Sequence, residues 1–256
     1  MIYVLWGLVT TLTMKVSFLN LQRNIDKKID IIETHLFKES ISICGLSEID
    51  LEENEKPPPI KGYVCISDSR PMQRVCTYVK DDIYFDQLTY DGDLPCTIIS
   101  TSHTTFVMLY SEFTDKPYTL ARSRLTEKTR MNRILDMLNW VVQKSRKNLL
   151  VCGDFNVDMF SNTVSKSRLL DWCCEFGLNQ LINKPTRETF DSNGNILTST
   201  CIDLALSRFP LTMNIKSRVV DFGISDHKGL VIEFGKNNNR QRKQNIKRIK
   251  VDVWNF

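Results

Sequence analysis

Two short strings in the second half of the chain combine residue types that can act on a phosphate. Gly153-Asp154-Phe155-Asn156 follows the apolar run Leu149 to Cys152, so a buried strand is expected to end at Gly153 and present Asp154 and Asn156. Residues two apart on an extended backbone share a side, which would let a carboxylate and an amide meet one metal-bound phosphate. Asp and Asn at a strand end also form ordinary turns, and the string alone leaves both readings open. Ser225-Asp226-His227 sets a carboxylate beside an imidazole, just ahead of the apolar strand around Leu230 and Val231. Catalytic groups concentrate at such borders between rigid elements and loops. The chain has three histidines. His35 falls on a predicted helix and His103 in a Ser/Thr-rich turn, so His227 is set apart by its acidic neighbour.

Two further acids sit where an acid is costly. Asp203, in Thr200-Cys201-Ile202-Asp203-Leu204, interrupts an apolar strand and needs a hydrogen-bonding or charged partner. His227 is the natural candidate. Glu48 follows the buried run Ile43-Cys44-Gly45-Leu46 and would project from a strand end, either as a hard oxygen ligand for Mg²⁺ or as an ordinary loop acid.

The elements that must position these groups follow from periodicity. Lys15 to Leu21 reads as a first strand, and Asn24 to Lys38 as a helix with Ile25, Ile29, Ile32 and Leu36 at helical spacing. Ile41 to Leu46 reads as a buried strand. Glu52 to Lys61, with Pro57-Pro58-Pro59, must be a loop. Strands are expected around Tyr63 to Ile66, Val75 to Lys80, Cys96 to Ser100 and Phe106 to Phe113. The pattern predicts an amphipathic helix over Ser123 to Lys144, a buried strand over Leu149 to Cys152, and a helix over Ser165 to Phe176 that stops at Gly177. Four more strands are expected over Thr186 to Phe190, Cys201 to Ser207, Leu211 to Val219 and Gly229 to Phe234. The order predicts an α/β (α+β) four-layer sandwich, two mixed β-sheets packed face to face with helices outside.

Bulk properties set outer limits. At 256 residues and 42% hydrophobic, the chain can bury a full core in one large domain. Residues 236–250 hold seven Lys or Arg and no acid, so the rest of the chain carries a net charge of −3, the +4 total less those seven. Such a terminal block is ordinarily a solvated tail, and a nucleic-acid partner would use it for salt-sensitive phosphate contacts. Six of the eight cysteines, Cys44, Cys65, Cys76, Cys96, Cys152 and Cys201, sit in apolar strand-like runs and read as reduced, buried thiols. Cys173 and Cys174 fall on a helix, where neighbours diverge and make poor joint metal ligands. Residues 1–14 are uncharged and apolar but shorter than the ~20 residues a membrane-spanning helix needs. They read as an extra strand or frayed extension ahead of a domain over 15–235, with 236–256 as a basic tail or linker. A nuclear or cytoplasmic protein is the default expectation.

Taken in order from about Lys15 to Phe234, these strings resemble the endonuclease/exonuclease/phosphatase superfamily. In that family an early strand supplies an Asn, matched by Asn20 in Phe18-Leu19-Asn20, and a later one a metal-binding Glu, matched by Glu48. Gly153-Asp154-Phe155-Asn156 matches the family's Asp and Asn pair, Ile202-Asp203-Leu204 the Asp that supports the catalytic His, and Ser225-Asp226-His227 the terminal signature. Tyr110 matches the catalytic Tyr by position. Lys184-Pro185-Thr186-Arg187, followed by Ser199 to Ser207, is similar to a region of the endonuclease domains of non-LTR (LINE-type) retrotransposon proteins. The resemblance implies a monomeric Mg²⁺-dependent phosphodiesterase, with Mn²⁺ as a substitute, that nicks target DNA and is fused to or derived from a reverse transcriptase. It implies catalytic roles for His227, Asp203, Asp154, Asn156 and Tyr110, and metal-binding roles for Glu48, Asn20 and Asp226. Arg187 and, in the tail, Arg240, Arg242 and Lys243 would contact DNA.

Two departures keep other readings open. Gln22 stands where many relatives have an acid or Asn, and Ser111-Glu112-Phe113 replaces the Pro that usually follows the Tyr closely. A phosphatase acting on inositol phosphates or phosphoinositides would share the catalytic set. A DNA-binding module that has lost catalysis would tolerate both departures.

Overall fold

The computed structural model describes residues 13–113 and 124–236. Most of the N-terminal extension and the tail residues Arg240, Arg242 and Lys243 lie outside them. In chain order the elements are β1 (Met14–Asn20), α1 (Ile25–Glu39), β2 (Ile43–Leu51), β3 (Tyr63–Ser67), β4 (Gln73–Lys80), β5 (Asp86–Leu88), β6 (Cys96–Ser100) and β7 (Thr104–Tyr110). They continue with α2 (Glu127–Lys144), β8 (Asn148–Asp154), α3 (Val164–Glu175), β9 (Asn179–Gln180), β10 (Arg187–Phe190), β11 (Ile196–Thr200), β12 (Asp203–Arg208), β13 (Met213–Val220) and β14 (Gly229–Lys236).

Two six-stranded mixed sheets result, ordered β13-β14-β1-β2-β4-β3 and β5-β6-β7-β8-β12-β9, with β10 and β11 as a separate hairpin. Each sheet has one parallel pair at its centre, β1 with β2 and β7 with β8, and antiparallel neighbours around it. The predicted sandwich is therefore present. Between the sheets, Val16, Phe18, Ile43, Val75 and Val79 meet Ile98, Phe106, Met108, Leu150, Cys152 and Ala205 in one continuous core. Gly45 of β2 marks a close approach of the sheets, because a Cβ there would lie 2.5 Å from the Met108 side chain of β7.

Helices cover the outer faces. Ile25, Ile32 and Leu36 of α1 pack on Cys44, Leu46, Cys76 and Tyr78. On the other side, α2 contributes Ile134, Met137, Leu138 and Val141, and α3 contributes Leu169 and Trp172. Trp172 Nε1 donates to Asn139 Oδ1 at 2.8 Å and pins α3 to α2. Side-chain caps fix both starts, with Thr126 accepting from the Thr129 N–H and Thr163 from the Lys166 N–H.

The structure alters several expected boundaries. The strand expected to stop at Leu46 runs to Leu51, but its pairing with β4 breaks between Ser47 and Leu51. Glu48 thus sits in a mid-strand bulge instead of at a strand end. The strand expected through Phe113 ends at Tyr110, and the helix expected from Ser123 starts at Glu127. Three short strands, β5, β9 and β11, were not anticipated. All eight cysteines are free, with Cys173 buried and Cys174 exposed. No helix among the described residues is long and apolar enough to cross a membrane.

Candidate functional site

One end of the inter-sheet core turns polar. β1, β2, β7 and β8 all run towards this end, while antiparallel β12 starts there. Tyr110, the last residue of β7, pairs with Asp154, the last of β8, which pairs with Asp203, the first of β12. Residues paired in register project to one face. This rung therefore continues the apolar rows Phe106, Met108 and Leu150, Cys152 with a phenol and two carboxylates. Asn20 ends β1 on the facing sheet, in the row of Val16 and Phe18, and is fully buried.

Asn20 joins the sheets. Its Nδ2 donates to Glu48 Oε1 and to Asp154 Oδ2, each at 2.8 Å, while its Oδ1 accepts from the Gln22 N–H at 3.0 Å. Asn20 thus orients two carboxylates, and its Oδ1 keeps a second lone pair beyond the Gln22 hydrogen bond. Gln22 also accepts from the Asp226 N–H at 3.5 Å, so this departure from the family pattern ties the segment after β1 to the segment before β14.

The predicted pairing of Asp203 with His227 is present. His227 Nδ1 lies 2.9 Å from Asp203 Oδ2, and both side chains are buried. Asp203 is placed by Thr186, a fully buried residue whose hydroxyl accepts from the Ile202 and Asp203 N–H groups at 3.1 and 3.0 Å. The Pro-Thr-Arg segment thus builds the site from beneath. Arg187, expected to face DNA, bridges to the His227 backbone and pairs through Nε with Asp226 Oδ2 at 2.8 Å. Asp226 Oδ1 is buried without a hydrogen-bond partner and lies 3.8 Å from His227 Nε2.

Asp154 reaches the site by extended alternation along β8, but Asn156 does not. Asn156 has φ +51°, and its N–H turns back onto Asp154 Oδ1 at 3.0 Å, while its Nδ2 donates to the Ser111 carbonyl at 2.8 Å. The turn reading of this string and its place in the site hold together. Of the seven non-glycine residues with positive φ among the described residues, six lie in segments that carry the site: Gln22, Arg23, Asn24, Glu48, Asp50 and Asn156. Such backbone costs free energy and persists only where surroundings enforce it.

Charged neighbours set the protonation states. Burial pushes Asp154 up to about 7, aided by the Asp203 and Glu48 carboxylates and opposed by His227. For His227, burial works downward but is outweighed by Asp203, Asp154 and Asp226, and the imidazole ends near 9. Burial, with Glu48 and Asp154, holds the Tyr110 hydroxyl well above the ordinary phenol range, despite the Arg74 guanidinium 4.8 Å from its ring centre.

Two groups at the site were missed by sequence reasoning. Lys28 of α1 feels Glu48 and Asp226 while burial lowers its pKa, and Arg74 of β4 joins Asp50 at 2.7 Å to Glu112 at 3.3 Å. Glu112 also takes Arg70 at 3.2 Å. The segment that replaces the usual Pro after Tyr110 therefore anchors β7 to the opposite sheet. The charge-rich sequences around these residues gave the only available signal, and they named no partners.

Asp154, Asp203 and His227 bring ligand atoms within 4.8 Å of one another. The unpartnered Asp226 Oδ1, with Glu48 across the cleft, adds hard carboxylate oxygens of the kind that Mg²⁺ or Mn²⁺ prefers. The residues present fit a divalent cation.

A two-sheet sandwich with a buried His–Asp pair at its polar end is a fold this chain shares with solved structures of the endonuclease/exonuclease/phosphatase family. Within that class, the family model described as "Endonuclease-reverse transcriptase" matches residues 105–231, a span that holds Tyr110, Asp154, Asn156, Asp203, Asp226 and His227. Among solved structures, the endonuclease domain of TRAS1, a telomere-specific non-LTR retrotransposon, is similar at TM-score 0.63 and 19% identity, over 88% of this chain and 98% of that one. An endonuclease/exonuclease/phosphatase family protein from Bacteroides thetaiotaomicron is similar at TM-score 0.62 and 14% identity, over 89% and 99%. The 3′ phosphatase NExo from Neisseria, bound to product DNA hairpin, is similar at TM-score 0.63 and 16% identity, over 86% and 99%. At these identities the likeness carries the fold. No curated protein matches the chain by sequence.

Proposed function

We propose that this protein is a divalent-metal-dependent DNA endonuclease that nicks target DNA and leaves a 3′ hydroxyl, as the resemblance to retrotransposon endonuclease domains implies. The observation that carries the reading is the pair of hydrogen-bonded sets His227–Asp203 and Asp154–Asn20–Glu48, buried except for the half-buried Glu48, in which a cationic imidazole, a carboxylate of raised pKa and a further acid converge at one cleft. The catalytic roles follow from chemistry. Asp154, with a pKa near operating pH, accepts the proton of the attacking water. His227, held by Asp203 through Nδ1, directs Nε2 to a non-bridging phosphate oxygen and keeps its positive charge there. Tyr110, fully protonated at neutral pH, donates towards the leaving oxygen. Asn156 fixes the phosphate with its second amide hydrogen. Glu48 and Asp226 would hold Mg²⁺ or Mn²⁺, whose charge offsets the negative charge gathering on the phosphate.

A supercoiled plasmid tests this. The relaxed form should accumulate with Mg²⁺, and neither EDTA-treated protein nor folded His227→Ala or Asp154→Ala protein should produce it; undiminished nicking by either variant would refute the assignment. The likeness to a 3′ phosphatase favours one second reading, a phosphomonoesterase using the same groups. Release of inorganic phosphate from a phosphomonoester, with intact plasmid, would select it.

A further inference from the structure

Arg130, in the first turn of α2, has no role in the site as built so far. Its guanidinium lies over the Phe113 ring, 4.3 Å from the centroid, and Nε and Nη1 are buried without hydrogen-bond partners. Other buried cations near the site are matched, Arg74 by Asp50 and Glu112, and Arg187 by Asp226. Glu127, the acid whose charge acts most on Arg130, is exposed and makes no ion pair with it, and Glu112 is already engaged by Arg70 and Arg74. Burial lowers the Arg130 pKa against the opposing charge of Glu127 and, less, of Asp154, whose influence places Arg130 beside the cleft. A guanidinium kept partly dry with unused donors is unfavourable unless an anion arrives to use them. Its contact with the Phe113 ring offsets part of that cost meanwhile.

We infer that Arg130 and Phe113 form a phosphate subsite, distinct from the His227 and Asp154 centre, that binds a backbone phosphate of nucleic acid beside the scissile one. Arg130 offers its unused guanidinium donors to the phosphate oxygens once the group shifts to the surface, and Phe113 packs against it. The inference rests on the endonuclease reading for the nucleic-acid part alone; affinity for phosphate is independent of it.

The test uses the full chain with Arg130→Gln and Arg130→Lys. In metal-free protein, inorganic phosphate should raise Tm for the wild type and lose that effect in Arg130→Gln. Duplex binding in EDTA should weaken about tenfold, with the slope of log K against log salt reduced by about 1, the signature of one lost phosphate contact. Arg130→Lys, which keeps the charge, should restore that slope, and Arg130→Gln should raise the KM for nicking far more than it lowers kcat. Equal phosphate shifts and equal salt slopes for wild type and Arg130→Gln would overturn the inference. Should Arg130→Gln fail to fold, Phe113→Leu is read in its place, with a reduced phosphate shift in support and an unchanged one against. If wild-type protein neither binds nor cuts DNA, the endonuclease reading fails, and the phosphate shift alone decides Arg130.

Discussion

The two groups that would face a substrate phosphate carry opposite charges only within a limited pH window. Asp154 works as a base once deprotonated, above about 7, and His227 as a cation until it loses its proton near 9. The nicking rate should therefore rise through about 7, fall through about 9, and peak between them. Asp203→Asn removes the charge that lifts His227 against its burial, so the alkaline limb should move to lower pH. The acid limb should fall as Mg²⁺ is raised, because a cation nearby favours the charged carboxylate. A pH-rate series on wild type and Asp203→Asn checks both, and an alkaline limb unmoved by the substitution would separate it from His227. At this scale the sequence was informative where chemistry is costly. An acid inside an apolar strand has to be paired, which made Asp203 and its partner His227 legible. That Asn20 would bridge Glu48 and Asp154 was not legible, because an Asn at a strand end has many uses.

Strands and helices were legible wherever burial is one-sided and repeats at a fixed period. β1, β4, β8 and α1 to α3 each bury a face or both faces, and the apolar pattern marks them. The exposed strand β11 buries no face and exists through its ladder with β10, so no alternation announces it. The two-residue β9 is likewise defined by its partner β12. The bulge that carries Glu48 was also hidden, since Glu48 and Asp50 adopt left-handed backbone without the glycine that would signal it. Close packing of β2 on β7 gives a prediction at this scale. Gly45→Ala would force its methyl onto Met108 and should destabilise by about 1–3 kcal/mol, as overpacked cores do. Met108→Ala should cost about 2–5 kcal/mol, and the double variant less than the sum, because each change relieves the other. Urea unfolding of the four proteins measures this; strict additivity would show that the two side chains do not compete for space.

Across the whole molecule, a chain of charges binds the sheets at the site end. Arg23 meets Asp50 at 2.8 Å, Asp50 meets Arg74, Arg74 and Arg70 share Glu112, and Arg70 meets Asp68 at 3.3 Å. Asp50 and Arg74 belong to the first sheet, and Glu112 follows the end of β7 in the second. Sequence reading gave the charges but could not match partners tens of residues apart. Arg74→Ala would leave Asp50 and Glu112 buried with less compensation and should cost about 3–5 kcal/mol. Arg74→Met, which restores bulk but no charge, should recover little. Thermal unfolding decides the point, and a Tm within a degree of wild type for Arg74→Ala would show that the pair is solvated and weak.

The left-handed backbone at Gln22 to Asn24 and at Glu48 and Asp50 has a consequence for where the molecule opens first. These segments spend conformational energy to hold Glu48 close to Asp154, and those two carboxylates repel until a cation lies between them, whereas Asp50 is already paired with Arg23 and Arg74. Their amides should exchange with deuterium early in metal-free protein and markedly later once Mg²⁺ is added, while those of β8 stay protected in both. Slow exchange at residues 22–24 and 48–50 without any cation would mean that the cleft is locked by its own contacts. Rapid exchange that Mg²⁺ suppresses would mean that the cation, in binding, finishes the folding of the site.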